Sequence, residues 1–194
     1  FFPGEIPLLF VAGYPFIPPG AGLLMDWVKY ENRVQLRPMG TDPCADLFSM
    51  GVVTTEGAGA GTIADDLDDF EAYLAKAEPD GAPEYLPERT IHLFHSPPYD
   101  TPLDRIPPRG RYEHLHFPEH VGSSEIRRFI ERVQPYLVIS GHCHESVVLA
   151  DYRTVLGSTV CVNPGSQTHL DVLSIVQFDI AHPETMKQFF IHAH

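Results

Sequence analysis

Two apolar segments of this chain end directly in histidine, and this pattern constrains the fold more than any other feature. Residues 136–140 (Tyr-Leu-Val-Ile-Ser) are typical of a buried strand and are followed by Gly141, His142, Cys143 and His144. Upstream, the strand-like segment 90–95 ends in His95. Glycine allows the backbone to turn sharply, and open α/β sheets usually carry their chemistry at strand ends. The pattern therefore predicts a sheet in which histidines project from two neighbouring strand ends.

His95, His142 and His144 are the candidate ligands of a metal site at these strand ends. Neutral imidazole is a borderline ligand that suits first-row metals such as Mn, Fe, Co, Ni or Zn. The alternative for any one of the three is a hydrogen-bonded surface histidine, and a motif match is a hypothesis. The occurrence of His142 and His144 together favours the metal. Cys143 between them is expected to point away from its neighbours and to be a small buried thiol.

Length and charge restrict the class of protein. A chain of 194 residues is long enough for one domain with a hydrophobic core, and we expect a single domain over residues 1–194. The formal net charge of −13 argues against nonspecific binding to nucleic acid, because an acidic surface repels a phosphate backbone. A small phosphoester such as a nucleotide stays compatible with this charge, since bound metal ions supply local positive charge.

The cysteines and the apolar segments bear on location. Cys44, Cys143 and Cys161 are odd in number and form no CxxC pair, which disfavours a disulfide framework and suits a reducing, cytoplasmic compartment. The longest apolar stretch is far shorter than a membrane span, and no charged-then-apolar leader opens the chain. We therefore expect no membrane partner.

Two amphipathic segments predict helices. Thr62 and Asp65 form a pair typical of a capping box at the start of the first helix, and its apolar face consists of Ile63, Leu67, Phe70 and Leu74. The second helix is predicted from Glu125 to Gln134, with Ser123 as its N-cap. Its buried face consists of Ile126, Phe129, Ile130 and Val133.

The remaining periodic segments predict strands. These are residues 7–14, 90–95, 136–140, 147–151, 155–162, 170–180 and 186–192. Patterning alone indicates an α/β or α+β fold with several late antiparallel strands. The Gly-Ala tract within residues 48–61 lacks the Lys-Ser/Thr of a phosphate loop and is interpreted as a connector.

The long loop 97–122 separates the two histidine segments, and loops of this length in a compact domain are commonly functional. We expect it to border a substrate pocket, with Asp100 or Asp104 fixing the loop or binding a ligand. His114 and His116 are interpreted as exposed loop histidines, and His120 as a candidate for substrate contact. Further on, residues 163–166 (Asn-Pro-Gly-Ser) predict a tight turn that positions neighbouring strands. The alternative is that Asn163 contacts substrate.

These segments together resemble the calcineurin-like metallophosphoesterases. The shared motifs occur in the family's order: His-Ser-Pro-Pro at 95–98, His-Val-Gly-Ser at 120–123, Gly-His-Cys-His at 141–144 and Asn-Pro-Gly-Ser at 163–166. The resemblance covers residues 89–180 closely and residues 8–30 more loosely, through Gly13-Tyr14 and Asp26-Trp27.

The resemblance implies a four-layer αββα sandwich and hydrolysis of a phosphodiester or phosphomonoester at a dinuclear metal centre. In that family the two divalent ions clamp the phosphoryl oxygens and generate hydroxide from bound water. By this analogy His95 and His142 bind one ion and His144 the other. Asp100, His120 and Asn163 are then the candidates for substrate contact.

Other motifs of that family do not occur in this sequence. Asp-x-His, Gly-Asp-x-x-Asp and Gly-Asn-His-Asp/Glu are absent, and with them the bridging aspartate and the acid histidine. The resemblance therefore implies the C-terminal half of a metallophosphoesterase, with an incomplete sandwich and no assignable catalytic residue. The alternatives are a noncatalytic binding protein and a half that completes its site with a missing N-terminal segment or a partner chain. Exposed apolar residues near Phe1, Phe2 and Phe10 would favour the partner-dependent alternative.

Overall fold

A five-stranded sheet positions both histidine segments. In the computed structural model, which describes residues 9–18, 29–32, 61–76, 85–106, 119–166 and 171–192, its strands have the order β1-β2-β3-β5-β4. The strands are β1 (Phe10–Tyr14), β2 (Thr90–Phe94), β3 (Leu137–Ser140), β4 (Arg153–Leu156) and β5 (Thr159–Val162). Strands β1, β2, β3 and β5 are parallel, and β4 pairs antiparallel with β5 at the edge.

Two helices and a hairpin cover the two faces of this sheet. Helix α1 (Ile63–Lys76) and helix α2 (Ser124–Val133) pack on one face, where Leu67, Ile126 and Phe129 meet side chains of the strands. The antiparallel hairpin of β6 (Val172–Asp179) and β7 (His182–His192) packs on the other face, where Met186 meets Leu137. Complete burial of such side chains contributes about 1.5–3 kcal/mol each.

The α/β class with late antiparallel strands is therefore confirmed. The four-layer sandwich and the single domain over residues 1–194 stay predictions, since the described layers are helices, sheet and hairpin. None of the described helices is long and apolar enough to cross a membrane.

Both predicted helix starts are confirmed by their hydrogen bonds. Asp65 Oδ2 accepts from Thr62 N at 2.9 Å, and Thr62 Oγ1 accepts from Asp65 N at 3.2 Å. Ser123 Oγ accepts from Ile126 N at 3.0 Å at the start of α2. These bonds satisfy backbone donors that the first helical turn leaves unpaired.

Two strand predictions are wrong in detail. Residues 147–151 are not a strand, because residues Ser146–Leu149 form a short helix, α3, in which Leu149 N donates to Glu145 O. An apolar run this short cannot be assigned by periodicity alone. The predicted strand 155–162 is two strands, because Gly157 at φ 64° reverses the chain between β4 and β5. Two-residue hairpin turns need positive φ, which glycine adopts without strain.

Several predictions lie outside the described residues. They concern Phe1, Phe2, the pair at 26–27, Cys44, most of the tract 48–61, His114 and His116. Two further short elements complete the described part: 3₁₀ turns at Pro87–Arg89 and Pro102–Asp104.

Candidate metal centre

The two histidine segments lie at the same edge of the sheet. Strands β2 and β3 are parallel neighbours, and Phe94 lies opposite Ser140. Both strands therefore end at the same edge of the sheet. His95 and Gly141 are the next residues, and Gly141 N donates to His95 O at 3.1 Å. His95 N in turn donates to Tyr14 O at 3.0 Å, which extends the sheet pairing by one residue. The predicted adjacency of the two strand ends is confirmed.

The sharp turn after β3 is centred on His142 rather than on Gly141, which corrects the expectation for this glycine. Cys143 N donates to Gly141 O at 2.7 Å, and His142 between them has φ 62°. A positive φ is uncommon in residues other than glycine, and turns of this three-residue kind are strained. A Cβ added at Gly141 would lie 3.9 Å from His95 O, which is ordinary contact. The strain therefore falls on a candidate ligand, as it often does at functional sites.

The imidazoles of His95 and His142 converge. Their ring centroids are 5.3 Å apart and the planes are inclined by 62°. Burial lowers the pKa of His142 to about 4, assisted by the charges that His95 and His144 would carry. Burial, and then His144, also lowers the pKa of His95. Both rings are therefore uncharged at neutral pH, which is the form that binds metal.

His144 is solvent-exposed and electrostatically coupled to the other two histidines, because its charge lowers the pKa of each. Within the described residues, no three His, Cys, Asp or Glu side chains are grouped so that they could hold one ion. The structure thus brings His95 and His142 together and leaves His144 beside them.

Cys143, between the two histidines in sequence, is a buried thiol. It is 1% exposed, and burial raises the pKa of its thiol well above the ordinary range, with Asp104 and Glu145 as further causes. Its burial confirms the prediction of a small buried residue, and the raised pKa disfavours the thiolate form that metals bind.

Asn163 binds the backbone of the turn that carries His142. Its side chain is 1% exposed, and Nδ2 lies 3.0 Å from each of three carbonyl oxygens, those of Leu103, Gly141 and Cys143. The amide thereby ties the turn that carries His142 to the 3₁₀ turn of the 97–122 loop. A buried amide with its donors engaged in this way favours the predicted positioning role over substrate contact.

The turn at residues 163–166 also contacts the histidine loop directly. Ser166 N donates to His144 O at 3.1 Å, and Gly165 N donates to Asn163 Oδ1 at 3.0 Å. Gly165 has φ 67°, and a Cβ there would lie 2.8 Å from His144 O and 2.7 Å from Val147. Only glycine combines this backbone conformation with such a close approach.

Asp104 organises the loop that faces the histidines. Its fully buried carboxylate accepts from Asp100 N at 3.1 Å, Thr101 N at 3.0 Å and Gly122 N at 3.0 Å. His120 Nδ1 lies 2.7 Å from Asp104 Oδ1. Of the two roles predicted for Asp104, the structure assigns it the fixing of the loop.

Asp100 and His120 lie at the surface of this loop. Asp100 is exposed at φ 55°, and its Oδ1 is 3.8 Å from His120 Nε2. The ring of Tyr99 lies at 6.1 Å from that of His120, and Arg127 donates to the carbonyl oxygens of Tyr99 and Asp100 at 3.0 Å. The structure therefore keeps both predicted substrate contacts accessible beside one another.

Sequence reasoning did not identify Glu31. This buried carboxylate accepts from Ser123 Oγ at 2.7 Å and from the backbone N–H groups of Ser124 and Glu125 at 2.6 and 3.2 Å. It stabilises the N-terminus of α2, where backbone donors and the helix dipole favour an anion. No local pattern marks it, because its partners are distant in sequence.

Comparison with known proteins does not assign this site. No protein-family model matches the sequence, and no curated protein matches it. A solved crystal structure with 18% identity aligns with 94% of this chain and 48% of its own chain, at a TM-score of 0.47. The chain thus spans about half the length of that structure. Neither a family nor an activity follows from a likeness at this level.

Proposed function

We propose that the protein is a metal-dependent phosphoester hydrolase, a phosphodiesterase or phosphomonoesterase of the metallophosphoesterase type. The observation that carries the proposal is the convergence of His95 and His142, with ring centroids 5.3 Å apart at the ends of adjacent parallel strands. His95 is exposed and His142 is half-buried, and the pKa of each is lowered, so both offer the uncharged ring that a divalent ion would use.

The donor set agrees with a first-row metal. His95 and His142 would bind one divalent ion through neutral imidazole nitrogens, and His144 would contribute to a second. Such ions supply a Lewis acid and lower the pKa of bound water, which is the chemistry that phosphoester hydrolysis needs. Three neutral ligands do not balance two dications, so a second ion requires a carboxylate beyond these three residues.

The substrate in this proposal is a small phosphoester, such as a nucleotide, bound between the histidines and the described parts of the loop, residues 97–106 and 119–122. Asp100 and His120 are the contacts assigned to it, and Asn163 positions the histidine turn. The formal net charge of −13 disfavours nonspecific nucleic acid as a partner. The buried free cysteines Cys143 and Cys161 agree with a reducing, cytoplasmic location.

The second candidate is a half that completes its site with another segment or chain and so forms the four-layer sandwich. The observation in its favour is apolar exposure on the hairpin side of the sheet, where Val11 is 64% and Leu93 43% exposed. The outer hairpin face adds Leu173, Phe189 and Ile191, all more than one-third exposed. A second layer packed there would bury this surface.

A metal-reconstitution assay tests the primary proposal. The purified protein is stripped with a chelator, reloaded with Mn²⁺, and assayed on bis(p-nitrophenyl) phosphate and p-nitrophenyl phosphate. The proposal predicts hydrolysis that the chelator abolishes and Mn²⁺ restores, and that His142→Ala loses. The matched control is His182→Ala, because His182 is exposed on the hairpin beside Glu184. Hydrolysis that survives the chelator contradicts the proposal.

If hydrolysis is absent, the second candidate makes its own prediction. The chain should then associate with a second polypeptide, detected as a mass larger than that of one chain in light scattering. A monomer without metal-dependent turnover contradicts both candidates.

A further inference from the structure

Two polar side chains of the β6–β7 hairpin bind one carbonyl oxygen of the turn at residues 163–166. Ser174 Oγ donates to Pro164 O at 2.5 Å, and Gln188 Nε2 donates to the same oxygen at 3.1 Å. Gln188 Nε2 also donates to Ser174 Oγ at 3.0 Å. Because proline has no backbone N–H group, its carbonyl is the one backbone group through which hydrogen bonds can hold Pro164. The hairpin thus fills both acceptor positions of that oxygen.

These two side chains lie on the face of the hairpin that packs against the sheet. Gln188 is paired with Val176, which lies two residues from Ser174 and so on the same face of its strand. Val176 packs against the apolar core on this face, and Met186 is buried there. Apolar side chains at positions 174 and 188 would suit such a face by burial alone. A hydroxyl and an amide there need hydrogen-bond partners, and Pro164 O is the partner of both.

The turn that carries Pro164 also holds the backbone of His144. Ser166 N donates to His144 O at 3.1 Å. Gly165 approaches the same oxygen so closely that a Cβ there would lie 2.8 Å from it, and Gly165 N donates to Asn163 Oδ1 at 3.0 Å within the turn. A continuous series of contacts therefore connects the hairpin, through the turn, to the third candidate ligand.

From these contacts we propose that Ser174 and Gln188 are positioning residues of the metal centre, because they fix the turn at residues 163–166 and, through it, the backbone of His144. The inference rests on the proposed function and assigns the hairpin to the same site. His144 is solvent-exposed, so burial does not restrict its side chain, and the contacts of its backbone determine where the imidazole can lie. A designed metal ligand has to be held within about 0.5 Å of its productive position, so a loosened turn should weaken the binding of the ion.

Two double variants that differ in one hydroxyl group separate this role from packing. The donor-free variant, Ser174→Val with Gln188→Leu, removes both donors to Pro164 O. The hydroxyl variant, Ser174→Thr with Gln188→Leu, keeps one of them. Valine and threonine are nearly equal in shape and both favour strands, so the two proteins should pack the hairpin alike. Urea unfolding checks that both proteins are folded and measures any difference in stability between them.

Calorimetric titration of the chelator-stripped proteins with Zn²⁺ measures the effect on the site. We expect the donor-free variant to bind Zn²⁺ about tenfold or more weakly than the hydroxyl variant, because residues that orient metal ligands commonly change affinity by this factor. Tyr136→Phe is the matched control. It removes a hydrogen bond from the sheet to Ile180 O at the turn of the hairpin, and it should bind Zn²⁺ like the wild type.

Hydrogen exchange of the Ser166 amide gives a second readout that needs no metal, because this N–H donates to His144 O. It should exchange about tenfold or more faster in the donor-free variant than in the hydroxyl variant, while the amides of β2 and β3 exchange equally in both. Equal Zn²⁺ affinities of the two variants, an unchanged Ser166 amide, or an increase that is uniform over the sheet overturns the positioning roles. A wild-type protein that binds no Zn²⁺ overturns the proposed function, and this inference with it.

Discussion

The ring of His95 lies edge-on to the ring of His142, with centroids 5.3 Å apart, although the two residues belong to distant parts of the sequence. Each is within two residues of the end of its strand, and β2 and β3 are parallel neighbours. The relationship depends on the strained φ of 62° at His142, which directs this side chain out of the strand path. Loss of this strain and loss of the imidazole can be separated experimentally.

Replacing His142 should remove the metal site and leave the fold intact. We expect His142→Ala and His142→Gly both to lose bound Mn²⁺ and hydrolysis. His142→Gly should be more stable than His142→Ala by about 1–2 kcal/mol, because glycine adopts positive φ without the Cβ penalty. Metal analysis by mass spectrometry and urea unfolding measure the two effects. Equal stability of the two variants would show that the turn is not strained.

Gly165→Ala should destabilise the protein and disturb the site. The new Cβ would lie 2.8 Å from His144 O at a φ of 67°, so backbone strain and overpacking together should cost about 2–4 kcal/mol. Gly13→Ala is the matched control, because its Cβ would make only ordinary contact at 3.7 Å with Leu93 O. Urea unfolding of both variants checks the prediction, which fails if they lose stability equally.

Asn163→Ala should lower the unfolding free energy although it replaces none of the candidate metal-binding histidines. Three buried carbonyl oxygens share the donors of this amide at 3.0 Å, and buried groups left without a partner cost about 1–3 kcal/mol each at most. We expect a loss of about 2 kcal/mol or more in unfolding free energy and a weaker affinity for Mn²⁺, because the His142 turn is released. Affinity is measured by calorimetric titration. Unchanged metal affinity would contradict the positioning role.

Because His92 is buried with a lowered pKa, we expect the fold to lose stability at acidic pH. The ring is fully buried among Phe70, Phe94 and Phe129, and burial lowers the pKa of His92 to about 4. The unfolded chain takes up this proton below an ordinary pKa of about 6.5, whereas the folded protein does not until about 4. The stabilising contribution is therefore present above pH 6.5 and is lost between pH 6.5 and 4, by roughly 3 kcal/mol in total.

The measurement is unfolding free energy at several pH values across that range. His92→Leu should reduce the dependence by the share of His92 and leave that of His142, whose pKa burial also lowers to about 4. His182→Leu should leave it unchanged because His182 is exposed. The same slope in wild type and His92→Leu would assign the acid sensitivity to other groups.

The sequence allowed the central geometry to be predicted for a physical reason. Parallel strands bring their carboxyl ends to one edge, so two apolar segments ending in histidine had to place His95 near the turn after β3. The helix caps at Thr62 and Ser123 could likewise be predicted, because their partners lie three residues away.

Contacts between distant segments could not be predicted from local pattern. Glu31 binds the start of α2 across the fold, and Asn163 binds carbonyl oxygens of two separate loops. The sharp turn was predicted at Gly141, because glycine turns most easily, whereas the residue with positive φ is His142. Residues 147–151 were predicted as a strand, because an apolar run this short fits either period, whereas residues Ser146–Leu149 form a helix.

The most direct test of the metal centre is anomalous diffraction from crystals of the protein grown with Zn²⁺. The account predicts an anomalous peak about 2.0–2.1 Å from one ring nitrogen of His95 and one of His142, and no such peak in the His142→Ala protein. A peak elsewhere, or a Zn²⁺-soaked crystal in which both rings keep their positions with no ion between them, would contradict the account.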